Sequence, residues 1–218
     1  MIGFFNIFPL ETKREDMNLK RIKKIIYFVA MISGIAALTG CGYIPEKVQV
    51  SYQPLLQQSV LSTASGAKVD VQVVDNRREK TQVSCKKGDY GVELASIRLE
   101  GDLAKEVAGA VRAELKNLGF GLSDDQASKG VDIEIQKFYN EFKAGAWGGR
   151  ALAEMILGVN VKKADGDIIY SKTIMGFGEM DRVWRHSGKN AKAALEASMN
   201  DAMNKLINDK AFIQALNR

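Results

Sequence analysis

The sequence predicts an α+β fold: a mostly antiparallel sheet made from a strand or hairpin, a helix, a three-strand meander and a second helix, with the two helices packed on one face. Three observations carry this expectation. Apolar residues alternate with polar ones in several short stretches, the period-two mark of half-buried strands. Two longer stretches repeat apolar residues at three-to-four spacing, as amphipathic helices do. Between two of the alternating stretches lies Asp165-Gly166, a two-residue hairpin signal.

Lys68 to Asp75 reads as a strand, with Val69, Val71 and Val73 on one face and Asp70 and Gln72 on the other. The polar stretch Asn76 to Tyr90 reads as a loop, and Val92, Leu94 and Ile97 as a second short strand. Asp102 is placed to cap a helix running to Leu118, with the stripe Leu103, Val107, Ala110, Val111, Leu115 and Leu118. Gly119 supplies the left-handed residue that ends a helix, and Phe120 folds back on its last turn. Val131, Ile133 and Ile135 alternate in the next strand. Ala151 to Val161 and Ile168 to Phe177 complete the meander around Asp165-Gly166. Asn190 is the expected cap of the last helix, whose inner face holds Ala191, Ala194, Leu195, Ser198, Ala202 and Leu206. A final turn, Asp209 to Leu216, offers Phe212, Ile213 and Leu216. No internal repeat is visible.

The first 40 residues have a different character. Asn18 to Lys24 is short and basic, Ile25 to Leu38 is apolar and uncharged, and small residues precede Cys41. This is the layout of a secretory leader, and the apolar run is shorter than the roughly 20 residues that span a bilayer. Met17 is read as the start, with residues 1–16 an over-extension, because it puts the basic segment first. Leu38-Thr39-Gly40-Cys41 resembles the lipobox of bacterial lipoproteins. That resemblance implies diacylation of the Cys41 thiol, cleavage after Gly40 and acylation of the new amine, leaving a membrane-held protein. Gly42, where Asp commonly retains lipoproteins in the inner membrane, implies the periplasmic face of the outer membrane. Residues 41–66, with Pro45, Pro54 and many Gln and Ser, read as lipidated Cys plus tether, reaching at most roughly 80 Å when extended. Within it Val48, Val50 and Tyr52 alternate and offer a short strand to the domain edge. Residues 67–218 form a single domain.

The charge balance narrows the function classes. The leader carries six of the 31 Lys and Arg and three of the 26 acids, so the remaining 25 bases and 23 acids leave a net charge of only +2. Nucleic acid is not an expected partner. With Cys41 lipidated, Cys85 has no disulfide partner; it reads as an incidental exposed thiol, although nearby lysines favour a thiolate. His186 is the one histidine, which leaves no set for a histidine metal triad or a Ser-His-Asp site, and no HExxH, CxxC or phosphate-loop motif occurs. The acids Asp124-Asp125, Asp165 and Asp167 sit in expected turns. Neither enzyme activity nor a cofactor or metal is expected.

Four segments together resemble the YajG-like family of Gram-negative outer-membrane lipoproteins. They are the lipobox, the strand end Val73-Val74-Asp75-Asn76-Arg77, the helix end Leu115-Lys116-Asn117-Leu118-Gly119-Phe120, and Asp209-Lys210-Ala211-Phe212-Ile213. The resemblance implies an outer-membrane-anchored periplasmic domain without an established activity.

Two constellations remain as candidate sites. Asp75-x-Arg77 either fixes the loop after the first strand or presents Arg77 or Arg78 to an anion. The connection Lys143 to Arg150, with Trp147, and the segment Asp181 to His186, with Trp184, are expected to share one end of the sheet, bringing Trp147 and Trp184 beside Arg150, Arg182 and Arg185. Trp and Arg are enriched at binding hot spots, while a Trp that merely covers a helix end is the competing reading. The expected role is an envelope interaction or accessory module with a protein or cell-wall partner. The alternative is a lipid- or small-ligand-binding protein, which requires a cavity lined by Met155, Leu157, Met199 and Met203.

Overall fold

The computed structural model describes Lys24 and residues 44–54, 67–123, 127–145 and 148–218. Cys41, Gly42 and Trp147 lie outside the described residues. Among the described residues from Ile44 onward, eight strands and three α-helices follow one another as β1 (Glu46–Val48), β2 (Lys68–Asp75), β3 (Gln82–Lys87), β4 (Glu93–Leu99), α1 (Leu103–Asn117), β5 (Gly121–Leu122), β6 (Lys129–Lys143), β7 (Gly149–Lys163), β8 (Ile168–Val183), α2 (Gly188–Ile207) and α3 (Lys210–Asn217). The fold is α+β, and all eight strands join one sheet.

The sheet is organised on β6. One edge of β6 carries β7, antiparallel, from Lys129↔Lys163 to Lys143↔Arg150, and β7 in turn carries β8. The other edge is divided. Its first half pairs in parallel with β2, from Val69↔Lys129 to Asp75↔Ile135, and farther on Asn140 pairs with Ser84 of β3, again parallel. β2 and β3 therefore run the same way along the same edge, and no crossover helix is needed to join them. β4 returns antiparallel to β3, and β1 lies parallel to β4 at the sheet edge.

Alternation accounts for the long strands. Ala151, Ala153, Met155, Leu157, Val159 and Val161 of β7 are buried, and their neighbours are not. The helix signals act as capping requires. Asp102 accepts hydrogen bonds from the Ala104 and Lys105 amides at the start of α1 (3.0 and 3.2 Å), and Gly119, at φ +88°, ends it.

Several expectations need correction. The Asn76 to Tyr90 loop contains β3, hidden because its buried residues, Val83, Ser84, Cys85 and Lys86, are consecutive and half of them polar. Cys85 is accordingly buried, not an exposed thiol; burial, with the nearby Glu93 charge, pushes its pKa up rather than toward a thiolate. Asn190 does not cap α2. Ser187 does, its hydroxyl accepting from the Asn190 amide at 3.4 Å. β7 and β8 are longer than expected, so Arg150, Asp181 and Arg182 lie within strands and not in connections.

α2 packs directly on the backbone of β8. A β-carbon added at Gly178 would stand 2.0 Å from the Ala194 carbonyl oxygen and 2.5 Å from the Ser198 nitrogen. One at Gly176 would stand 2.1 Å from the Ser198 oxygen. Glycine on the strand and Ala194, Ser198 and Ala202 on the helix are thus one steric solution. The same helix covers the free edge of β8: Asp201 accepts the Phe177 amide at 2.8 Å and the Lys205 ammonium donates to the Met175 carbonyl at 2.9 Å. Met155, Leu157, Met199 and Met203, the proposed cavity lining, are each 0% exposed and sit in the packed core.

Replacing Gly178 by Ala is expected to destabilise the domain by about 3 kcal/mol or more, at the upper end of overpacking costs, because backbone lies on the colliding side. Gly109, exposed on α1 with nothing near its missing β-carbon, serves as the opposite case: Gly109→Ala is expected to stabilise by about 0.5–1 kcal/mol. Urea unfolding of both variants measures the two shifts.

Candidate functional site

Where β2 leaves β6, the edge of β6 loses its partner before β3 arrives. The register slips between Ile135 and Lys137 at this point. Arg77, only 6% exposed, fills the gap. Its guanidinium donates to both carboxylate oxygens of Asp75 (Nε to Oδ1 at 2.9 Å, Nη2 to Oδ2 at 2.8 Å), to the Lys80 carbonyl at 2.7 Å and, across the seam, to the Phe138 carbonyl at 3.4 Å. The Asp75 carboxylate also accepts the Arg77 amide at 3.1 Å. Burial by itself would raise the Asp75 carboxyl, but the Arg77 hydrogen bonds and charge outweigh it and hold it below its ordinary value. These donors are directed at protein acceptors, so Arg77 belongs to the framework. Arg78 and Lys137 border an open pocket of about 330 Å³ beside it, lined also by Glu79, Gln82, Gln136 and Tyr139.

The aromatic and basic rim lies at the other candidate position. Gly149 of β7 pairs with Val183 of β8, and Gly148, at φ +101°, backs onto Arg182 and Trp184. The β6–β7 connection and the end of β8 thus meet at one end of the sheet. Trp184 is 78% exposed there and covers no core. Arg150 is paired with Glu179 at 2.9 Å. Arg182, with a left-handed φ of 56°, and Arg185 are exposed and make no ion pair among the described residues.

His186 is packed into the framework. Its ring stacks on Phe142 at 4.5 Å, and Nδ1 lies 3.2 Å from the Lys87 amide nitrogen and 2.8 Å from the Lys87 carbonyl, so it ties the end of β8 to the end of β3. Among the described residues no group of three metal-ligating side chains occurs.

Two further features escape sequence reasoning. The β3–β4 hairpin closes through a Gly88 amide to Val92 carbonyl bond of 2.8 Å, with Tyr90 and Gly91 both at positive φ, and it holds Tyr90 and Val92 out in solvent. The only signal is an aromatic residue between two nearby glycines. Second, residues 44–54 are held to the domain by carboxylates. Glu46 pairs with the buried Lys86 and accepts the Gly188 amide at 2.6 Å. Glu196 accepts the Ser51 amide at 2.8 Å, while Glu106 and Glu114 accept the Tyr52 amide and hydroxyl, each at 2.7 Å. Val48 and Val50 complete the attachment by entering the core.

Truncating Arg77 to Ala is expected to cost about 3–5 kcal/mol, as loss of one partner of a buried pair does. Asp75 adds a pH dependence of known sign. Its folded pKa is depressed, so its contribution is fully present above the ordinary aspartate value of about 3.9 and disappears as pH falls through the lower folded value. Thermal midpoints measured from neutrality to below that window should fall more steeply for the wild type than for Asp75→Asn.

Three comparisons with known proteins bear on this arrangement. Residues 54–217 match the model of a family described as uncharacterized lipoprotein. No curated protein matches. Among solved structures, protein XCC0632 from Xanthomonas campestris aligns with a TM-score of 0.57 at 10% identity, covering 78% of this chain and 96% of that one, which shows a shared fold. A minor lipoprotein from Acinetobacter baumannii aligns at TM-score 0.43 and 8% identity over 68% of this chain and 94% of that one. The family match spans three-quarters of the sequence, and the chain belongs to this family of lipoproteins.

Proposed function

We propose that the protein is a non-enzymatic lipoprotein of the outer membrane, anchored through lipid on Cys41 and facing the periplasm, that serves as an interaction or accessory module of the cell envelope. Within the lipoprotein family, the four segments quoted above favour the YajG-like group, and Gly42 favours the outer membrane. The contact surface is the rim of Arg150, Arg182, Trp184 and Arg185, to which Trp147 belongs by sequence position.

One observation carries this reading: the large exposed aromatic ring of Trp184 stands beside Arg182 and Arg185, which make no ion pair among the described residues, and has no core to cover. A packed interior around Met155 and Met199 favours a contact module over a ligand carrier.

The test has two arms in intact cells. A fatty-acid probe should label the wild type and leave Cys41→Ala unlabelled and in the soluble periplasmic fraction; equal labelling of both would remove the anchor. A photoreactive residue at position 184 should give an envelope adduct, whereas one at Asp167, beside the opposite turn, should not. Equal adducts from both positions would remove the rim as the contact surface.

A further inference from the structure

The direction of β1 places the anchor. β1 is parallel to β4, with Glu46 opposite Ile97. Read backward, toward the amino terminus, the strand heads for the start of β4, and so for the β3–β4 hairpin tip. Lys86, next to that tip, confirms the level: its ammonium donates to the Ile44 carbonyl at 2.9 Å. The tip, the β6–β7 connection and the end of β8 share this end, because β3 runs parallel to β6 and His186 bonds to Lys87.

Because residues 44–54 are bound to the domain, Cys41 is three residue steps from the first bound residue, Ile44. That lead spans at most about 11 Å. The headgroup layer on each side of a bilayer's hydrocarbon core is about 5–7 Å thick. A domain on so short a lead cannot stand away from the membrane, and the end that meets the membrane is the one bearing Ile44. That end exposes apolar and aromatic side chains that no core requires: Ile44, Tyr90, Val92 and Trp184, with Tyr90 fully in solvent. Tyr and Trp are the residues that favour the bilayer interface, where the ring is apolar and its edge meets water. Arg182 and Arg185, which make no ion pair among the described residues, stand beside them and suit lipid phosphates.

We infer that Ile44, Tyr90, Val92 and Trp184 form a lipid-contacting rim that rests in the headgroup layer of the bilayer holding Cys41. This deepens the reading of the rim given above and rests on lipidation of Cys41. The envelope component met by Trp184 is the membrane surface itself, and the domain is docked on it in one orientation.

The test uses the full lipidated protein carrying Trp147→Phe, which leaves Trp184 as the only tryptophan. It is reconstituted into vesicles of phosphatidylethanolamine with a minor share of phosphatidylglycerol, with bromine on the acyl chains near the headgroups. Trp184 emission should shift to the blue and be largely quenched by the brominated lipid. Tyr90→Gly with Val92→Ser should recover much of that emission without lowering the thermal midpoint, since glycine suits the positive φ of position 90. If the protein floats with the vesicles but Trp184 emits as in water and is not quenched, the rim inference is overturned and the anchor stands. If Cys41 carries no lipid and the protein does not float, anchor and rim both fall. A rim crosslinked to a protein, with no quenching by lipid, likewise overturns the inference.

Discussion

One edge of β6 has to serve two strands, and the rest of the structure follows from how that is managed. A strand edge is a row of donors and acceptors that must all be satisfied when buried. β2 satisfies the first part and β3 reaches it farther on, which leaves a gap at the register slip. Arg77 closes the gap with a side chain in place of a strand, and Asp75 keeps the buried guanidinium neutralised and aimed. Without that plug the chain could not leave β2, turn and rejoin the same edge as β3. The hairpin, the attachment of β1 and the lead from the amino terminus all depend on β3 being there.

The opposite side of the sheet solves a different problem by the same kind of economy. β8 is a free edge, and free edges invite pairing with other chains. Here α2 lies so close to β8 that glycine is required at 176 and 178, and its Asp201 and Lys205 side chains occupy edge groups of β8. Close packing and edge protection come from one helix. The amino-terminal segment is held by Glu46, Glu106, Glu114 and Glu196, three of which are supplied by the helices α1 and α2.

Regular periodicity made much of this legible. β2, β7 and α1 lie where alternation or three-to-four spacing puts them, since each has one buried face of plainly apolar residues. β3 was not legible because its burial is continuous and includes Ser84, Cys85 and Lys86, with Ser84 and Lys86 meeting partners far along the chain, Asn140 and Glu46. The attachment of residues 44–54 was hidden for a related reason: it rests on carboxylates 54 to 145 residues away, and such pairings leave no local pattern. Of the rim, the chemistry of Trp184 and the arginines could be read from the sequence. Tyr90, Val92 and Ile44 could not, because the parallel register of β1 with β4 brings Ile44 to that end, and the contact of His186 with Lys87 brings the β3–β4 hairpin there.

That register also decides how the domain bears force. Tension on an amino-terminal anchor runs along the axis of β1, so its bonds to β4 are loaded together in shear and not opened one after another as a peeled hairpin would be. Glu46 adds a fixed point by gripping both Lys86 and the first amide of α2, so strain passes from the edge strand into the packed helix. Buffeting by a moving membrane is therefore met by the core as a whole, and the first residues of the domain act as a mechanical clamp.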